Sequence, residues 1–237
     1  MPRDLPALLF AMIFPTLCTW VDFNLLAGSA WMPATFVAGK VVQFGFPIAW
    51  VRWIAREPAA GAGDAPGRPR AKGLWIGLGL GVVIAAAIGF TYAALLRGGA
   101  AFADAPARVR EKLVDLHCAT PARFLVLAAF ISVLHSGLEE YYWRWFVFGR
   151  LRRRLRFGPA AAVSALAFMS HHIVVLNAYV HPGCFWTATI PLALGVAVGG
   201  VLWAWLYERT GSLAGPWASH VLADVALMAV GWELAWG

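Results

Sequence analysis

Two uncharged apolar stretches constrain the fold of this chain more than any other feature. Leu74 to Leu96 and Phe185 to Tyr207 each run for 23 residues without Asp, Glu, Lys or Arg. A helix of that length spans the roughly 30 Å hydrocarbon core of a bilayer. The apolar residues follow one another without a break, whereas the strands of a membrane barrel alternate apolar and polar residues. Both stretches therefore predict transmembrane helices.

Further apolar segments predict an all-α membrane bundle. Of the 237 residues, 61% are hydrophobic and only 13% are charged, which is unusual for a soluble domain. We interpret the whole chain, residues 1–237, as one membrane-embedded domain. Seven transmembrane helices are predicted, at roughly 5–26, 32–54, 74–96, 122–147, 159–180, 185–207 and 213–235.

The first hydrophobic segment has one feature of a secretory signal. Leu5 to Leu26 is followed by "AGSA", which loosely resembles a signal-peptidase site. The residues before it include only Arg3 and Asp4 as charges, so the positive charge typical of a signal peptide is missing. We expect a retained helix, with a cleaved signal as the alternative.

Arginine-rich segments predict the orientation. Basic residues concentrate in the Gly- and Pro-rich linker 55–73 and in the turn "GRLRRRLRF", residues 149–157. By the positive-inside rule both are cytoplasmic, which puts the N-terminus inside and the C-terminus outside. These membrane-surface segments also account for the net charge of +7, so we expect no nucleic-acid partner. The Ala-, Gly- and Arg-rich composition favours a bacterial source, and therefore the bacterial inner membrane.

Two local patterns concern packing. Within the predicted external loop 97–121, Val109, Leu113 and Leu116 share one helical face. They predict a short helix that either lies in the headgroup region or is an ordinary surface helix. Glycines at 77 and 81, and at 195 and 199, have the spacing that lets helices approach closely, for which we expect a packing role.

Charged residues within the fourth predicted helix are the first indication of function. The segment "SGLEEYYWRWF", residues 136–146, contains Glu139, Glu140 and Arg144. An ionised group near the bilayer centre costs about 2.5–3.5 kcal/mol, so these side chains should face protein or water. Glu140 and Arg144 are four residues apart and are predicted to pair. Glu139 has His135 on its own face, so it is the chemically free carboxylate.

Two later helices also carry ionisable residues. In "FMSHHIVV", Phe168 and His172 share a face, and in "SHVLAD", His220 and Asp224 are four residues apart. Each group alone is compatible with a hydrogen-bonded packing role. Because three apolar helices each carry groups that need partners, we predict that these groups meet in one polar cavity.

Such a cavity could hydrolyse an amide. A glutamate can accept a proton from water and return it to a leaving amine, while imidazoles can donate to a developing oxyanion. Other intramembrane protease signatures are missing: the chain has no HExxH and no GxSG. The "GAGD" at 61–64 matches an aspartyl-protease pattern, but it lies in the basic linker and has no partner motif.

Three motifs together resemble a known family. "EEYYWR" fits EExxxR, "FMSHH" fits FxxxH and "HVLAD" fits a final HxxxN/D, in this order over residues 139–224. The chain thus resembles the CPBP family of intramembrane proteases, which includes type II CAAX prenyl endopeptidases and bacteriocin-processing and immunity-related proteins. The motif-bearing core is about 122–235. The resemblance implies an endopeptidase that acts on a membrane-associated or lipidated peptide.

The resemblance also implies roles for individual residues. Glu139 would activate water with the help of His172, and His220 and Asp224 would hold the oxyanion. The CAAX prenyl endopeptidases carry Asn at the last position, and an ionised Asp cannot donate a hydrogen bond. The supporting residues would be Glu140, Arg144 and Phe168.

Alternatives remain for the cofactor and for the function. Glu139, His172, His220 and Asp224 form a nitrogen and oxygen set that could hold zinc. We favour a metal-free glutamate mechanism, with no cofactor. The partners are then the lipid bilayer and the peptide substrate. Two other functions stay open: a non-catalytic immunity or scaffold protein, and a proton-coupled transporter with a buried relay.

Overall fold

The structure, a computed structural model, describes residues 4–57 and 70–237. All regular structure in these residues is helical. Seven helices are long and apolar enough to cross a membrane, and an eighth is short. In chain order they are α1 (Asp4–Leu25), α2 (Met32–Ala55), α3 (Ala71–Leu96), α4 (Ala105–Asp115), α5 (Pro121–Arg152), α6 (Phe157–Tyr179), α7 (Pro182–Thr210) and α8 (Ala214–Trp236).

These helices confirm the predicted all-α bundle of seven membrane spans. One boundary was wrong: α5 continues five residues past the predicted end at 147, so Arg150 and Arg152 lie on the helix. The turn to α6 is therefore only residues 153–156. Most of the predicted basic linker, including "GAGD", lies outside the described residues.

The outer surface of the bundle is apolar, as a lipid-facing surface must be. Large hydrophobic side chains such as Phe90, Val126 and Trp186 are more than 70% exposed. A soluble protein rarely exposes so much contiguous apolar surface. The chain is therefore a multi-pass integral membrane protein.

Glycines allow α3 and α8 to approach closely. A Cβ atom on Gly77 would lie 2.2 Å from the carbonyl oxygen of Gly215, and one on Gly81 would lie 2.9 Å from the Cα atom of Ser219. The packing role predicted for residues 77 and 81 is confirmed. The second pair shows no close approach of two helices, because a Cβ atom on Gly195 would meet nothing within 4 Å and the atoms nearest to one on Gly199 belong to Trp203 of the same helix.

The short helix α4 covers one end of the bundle. Leu113 is buried against Phe124 of α5 and Ala235 of α8, and Val109 packs on the same cluster. The predicted helix is confirmed, and its apolar face contacts protein. That contact fits a helix packed on the bundle surface.

Helix α5 lies at the centre of the main core. Its aromatic side chains Tyr142, Trp143, Phe146 and Phe148 are buried among residues of α1, α2, α6 and α7. The helix winds more widely, as a π-helix, at Phe130–His135 and again at Tyr141–Phe148. Wider turns of this kind are frequent at functional sites, and here they flank the two glutamates on both sides.

Candidate active site

The carboxylate of Glu139 lies among three imidazoles. Its side chain is buried in the middle of α5, with 3% of the residue surface exposed. His135 Nδ1 is 4.0 Å from Oε2, His171 Nε2 is 3.5 Å from Oε1, and His220 Nε2 is 3.7 Å from Oε2. These histidines come from α5, α6 and α8. The prediction that ionisable groups of three helices meet is confirmed.

Glu140 has different partners from its neighbour. Its Oε2 atom is 3.2 Å from Arg144 Nε, which confirms the predicted pair. Its Oε1 atom is 2.8 Å from His220 Nδ1, a contact that the sequence did not predict. A carboxylate beside an arginine accepts, so His220 donates through Nδ1. The imidazole of His220 therefore bridges the two adjacent glutamates.

Arg144 is enclosed by aromatic rings. Its guanidinium carbon is 4.9 Å from the ring centre of Phe168 and 5.0 Å from that of Trp203. Cations are attracted to the faces of such rings, which adds to the attraction from Glu140. The ring of Phe168 thus covers one face of the Arg144 guanidinium.

Trp203 of α7 is a site residue that the sequence did not predict. Its ring stacks on His220 at a centroid distance of 4.1 Å, and its Nε1–H donates to Ser219 Oγ at 3.0 Å. The ring fixes the plane of the imidazole from one side, while Glu140 fixes its Nδ1 atom. Trp203 is one of 13 Trp residues and lies in an uncharged stretch, so no motif or charge in the sequence marked it as a site residue.

The two neighbouring histidines of α6, His171 and His172, have different partners. His171, which the sequence did not single out, contacts Glu139, and its ring lies parallel to that of Trp143. His172 Nδ1 is 3.0 Å from the carbonyl oxygen of Phe168. Because a carbonyl only accepts, Nδ1 carries the proton, and Nε2 of a neutral His172 is an acceptor. The ring centres of the two histidines are 4.1 Å apart.

Asp224 lies at the far side of His220. Its Oδ1 atom is 3.7 Å from His220 Nε2, which brings the predicted pair together at a distance longer than a hydrogen bond. The same nitrogen is 3.7 Å from Glu139. His220 Nε2 therefore lies between two carboxyl groups.

The candidate zinc ligands do not form a metal site in this arrangement. Within residues 4–57 and 70–237, no group of three or more His, Cys, Asp or Glu side chains is arranged to hold a metal ion. Of the four proposed ligands, His220 contacts both Glu139 and Asp224. His172 is instead hydrogen-bonded to a backbone carbonyl. We therefore derive no step through a metal.

Fold and site together define a polytopic helical membrane protein with a buried centre of carboxylates and imidazoles. Residues 121–226 match the family model described as type II CAAX prenyl endopeptidase Rce1-like. The match covers α5 to most of α8 and includes every residue of the site above. It confirms the resemblance to the CPBP family and supports, at the level of the family, an intramembrane protease of the CAAX type. No curated protein and no solved structure matches the chain significantly.

Proposed function

We propose that the chain is an intramembrane endopeptidase in which Glu139 activates water to cleave a membrane-associated or lipidated peptide. The observation that carries this proposal is the buried Glu139 carboxylate surrounded by imidazoles from three helices. An intramembrane carboxylate at such a site is costly and points to a functional role. We further propose that the protein lies in the bacterial inner membrane with its N-terminus in the cytoplasm.

The proposed reaction starts at Glu139. Its carboxylate takes a proton from water while the water oxygen bonds to the carbonyl carbon of the peptide. The carbonyl electron pair moves to the oxygen, which becomes an oxyanion. Glu139 then returns the proton to the amide nitrogen, the carbon–nitrogen bond breaks, and a carboxylic acid and an amine result.

His172 and His220 have different tasks in this scheme. The Nε2 atom of neutral His172 accepts a hydrogen bond and can orient the attacking water. His220 donates to Glu140 through Nδ1, so it can donate to the oxyanion through Nε2 only as an imidazolium. The carboxylates of Glu139 and Glu140 lie against His220 and can stabilise that imidazolium. Asp224 adds a second donor when it is protonated.

Two matched glutamate variants test this assignment. We expect Glu139→Gln to lower turnover of a lipidated peptide in liposomes by at least about 100-fold, because the amide cannot accept the proton. Its membrane insertion and thermal stability should persist. Glu140→Gln should lower stability as well as activity, because it leaves Arg144 buried without its counter-charge. Near-normal turnover by Glu139→Gln would refute the mechanism, and equal stability of the two variants would refute the division of roles.

The alternative functions give different results. A transporter would show pH-linked solute uptake in vesicles without any cleaved product. An immunity protein would protect cells even as the Glu139→Gln variant. Comparison of protein termini in cells with active protein and with this variant would identify the natural substrates.

A further inference from the structure

Trp217, near the start of α8, has a contact that an ordinary interfacial tryptophan lacks. Tryptophans are enriched where a helix leaves the bilayer, and there their N–H groups face water and lipid headgroups. The Nε1–H group of Trp217 instead donates to the backbone carbonyl oxygen of Val133 on α5, at 2.9 Å. This hydrogen bond joins the helix that carries His220 to the helix that carries Glu139.

The acceptor belongs to the first wide turn of α5. Val133 lies in the π-helical segment Phe130–His135, and the amide of Ser136 at its end donates to the carbonyl of Ile131, five residues earlier instead of four. Side chains also donate to this irregular stretch. Ser136 Oγ donates to the carbonyl oxygen of the residue four positions earlier at 2.5 Å, and Trp217 donates to that of Val133. These side-chain donors stabilise a turn that departs from regular helical hydrogen bonding.

The wide turn decides where Glu139 points. A π-turn takes up one residue more than an α-turn, so it rotates the side chains that follow by about 100° relative to those before it. Glu139 comes four residues after the segment ends at His135. Its carboxylate lies beside His171 of α6 and His220 of α8. With a regular turn in place of the wide one, this carboxylate would point to another side of α5.

Gly137 leaves the space that the indole of Trp217 needs. A Cβ atom on Gly137 would lie 3.2 Å from Nε1 of Trp217 and 3.5 Å from its Cδ1 atom. A side chain at this position would therefore press the indole away from the Val133 carbonyl. Glycine is a poorer helix former than alanine, so a glycine here fits a need for close approach.

Trp217 and His220 hold α8 against α5 at two points. They are three residues apart and so lie on one face of α8. Trp217 is bonded to the wide turn that precedes the glutamates, and His220 Nδ1 is bonded to Glu140 at 2.8 Å. One contact would let α8 rotate about it, whereas two contacts fix its rotation. The distance of 3.7 Å between His220 Nε2 and Glu139 Oε2 depends on that rotation.

We propose that Trp217 is a positioning residue for the reaction, because its hydrogen bond to Val133 holds the wide turn that places Glu139 among its imidazoles. This inference rests on the proposed function. Trp217 acts through Glu139 and His220. Displacement of a reacting group by about 1 Å can slow a reaction about 100-fold, so a single hydrogen bond that sets its place can matter for the rate.

Turnover of a lipidated peptide in liposomes tests this role. Trp217→Phe keeps an aromatic ring and removes the N–H donor. We expect kcat to fall about tenfold or more while KM stays within about twofold, because misplacement of Glu139 affects the transition state and not the binding of the peptide. The matched control is Trp186→Phe, at a tryptophan of α7 that is 76% exposed, and it should equal the parent. A normal kcat in Trp217→Phe, or a loss that lies in KM alone, overturns the proposal.

A double-mutant cycle separates positioning from general packing. Gly137→Ala should lower the kcat of the parent by a factor similar to that of Trp217→Phe, because the methyl group displaces the indole. In the Trp217→Phe background the same substitution should cost less than about twofold, since the hydrogen bond is already missing. Effects that simply multiply would show that the two residues act independently, and the proposal would be wrong.

Nuclear magnetic resonance tests the contact without any cleavage. With isotope-labelled tryptophan and histidine, we expect the indole proton of Trp217 to exchange with water more slowly than that of Trp186, and Gly137→Ala to abolish this protection. Trp217→Phe should shift the imidazole signal of His220, and Trp186→Phe should leave it in place. These results support the positioning role even if the parent cleaves nothing, in which case only the proposed function fails. An unprotected Trp217 proton or an unchanged His220 signal overturns the positioning role even if Glu139→Gln abolishes cleavage.

Discussion

The adjacent glutamates differ in their partners, and this difference separates their roles. Glu140 is held by Arg144 and His220, so its carboxylate is committed to two contacts. Glu139 is surrounded by imidazoles whose closest nitrogen is 3.5 Å away, beyond hydrogen-bond distance. A group without a short contact can exchange a proton with an incoming water. The geometry therefore favours Glu139 as the reactive residue.

The Asp224→Asn variant tests whether Asp224 helps His220 to hold the oxyanion by donating a hydrogen bond. If Asp224 acts as a protonated donor, Asn supplies an N–H donor of similar shape that is independent of pH. We expect an active variant whose pH–rate profile extends to higher pH than that of the parent, because only the parent loses its donor on ionisation. The measurement is the pH–rate profile of both purified proteins.

The metal content of the parent and Asp224→Asn preparations distinguishes the metal-free glutamate mechanism from a zinc-dependent one. Our scheme predicts no stoichiometric metal in either protein. Zinc that is present at one ion per parent molecule, and that disappears with activity in Asp224→Asn, would establish a metal-dependent reaction instead.

Spacing along single helices predicted part of the site. The contacts Glu140–Arg144, His135–Glu139 and His220–Asp224 all join residues four apart, which lie on one helical face. The contact of His171 with Glu139 and the stacking of Trp203 on His220 join different helices. They depend on how α6 and α7 are rotated against α5 and α8, which the periodicity of one sequence does not specify.

At the scale of helices, the close contact of α3 with α8 positions His220. Gly77 and Gly81 lie against Gly215 and Ser219, and Ser219 directly precedes His220. We expect Gly77→Ala to destabilise the protein by roughly 1–3 kcal/mol and to reduce activity, because the added methyl group would overlap backbone atoms of α8. Unfolding in detergent and peptide turnover are the two measurements.

The same helix offers a matched control. A Cβ atom on Gly79 would meet nothing within 4 Å, so Gly79→Ala adds the same methyl group without a clash. This variant should be neutral or slightly more stable, because Ala is the better helix former by about 1 kcal/mol. Equal effects of the two substitutions would contradict the packing assigned to Gly77.

The length of the apolar runs predicted the number and place of the membrane helices. It predicted less well where α5 ends and where its turns widen. Seven spans followed from runs of about 20 uncharged residues, because only such runs can cross the hydrocarbon core as helix. The end of α5 at Arg152 did not follow, since Arg150 and Arg152 are kept on the helix by acids from elsewhere, Asp4, Glu57 and Glu208. The wider turns that flank Glu139 and Glu140 have no marker in the sequence.

At the scale of the whole molecule, an ionic network joins three helices at the end that carries the α5–α6 turn. Arg150 contacts both Asp4 at the start of α1 and Glu57 just beyond α2, and Arg153 contacts Glu57 again. The hydrogen bond from Arg153, helped by the charge of Arg150, holds the pKa of Glu57 below its ordinary value of 4.5, although burial opposes this shift. Acid should therefore loosen this end first.

The pH dependence of stability tests the network. A carboxyl group with a lowered pKa in the folded state stabilises the protein fully above its ordinary pKa, and this stabilisation is lost as pH falls below about 4.5. We expect Glu57→Gln to lower the melting temperature at pH 7 and to show a smaller further loss than the parent between pH 5 and about pH 3. Glu111→Gln, at an exposed acid without an ion pair in the described chain, should follow the parent curve. A Glu57→Gln curve parallel to that of the parent would contradict the network.

The orientation of the bundle decides from which side a substrate reaches Glu139. His220 is six residues from the start of α8 at Ala214, roughly 9 Å along the helix, and Glu139 is closer to the Arg152 end of α5 than to Pro121. The site thus lies nearer the arginine-rich end, which the positive-inside rule assigns to the cytoplasm.

In a variant without native cysteines, we expect a cysteine at Leu155 to react with an impermeant maleimide only in inverted vesicles, and one at Gly183 only in intact cells. Leu155 is chosen because its neighbour Arg153 is engaged by Glu57. The reverse labelling would open the site to the outside, and substrates would then have to come from the outer leaflet.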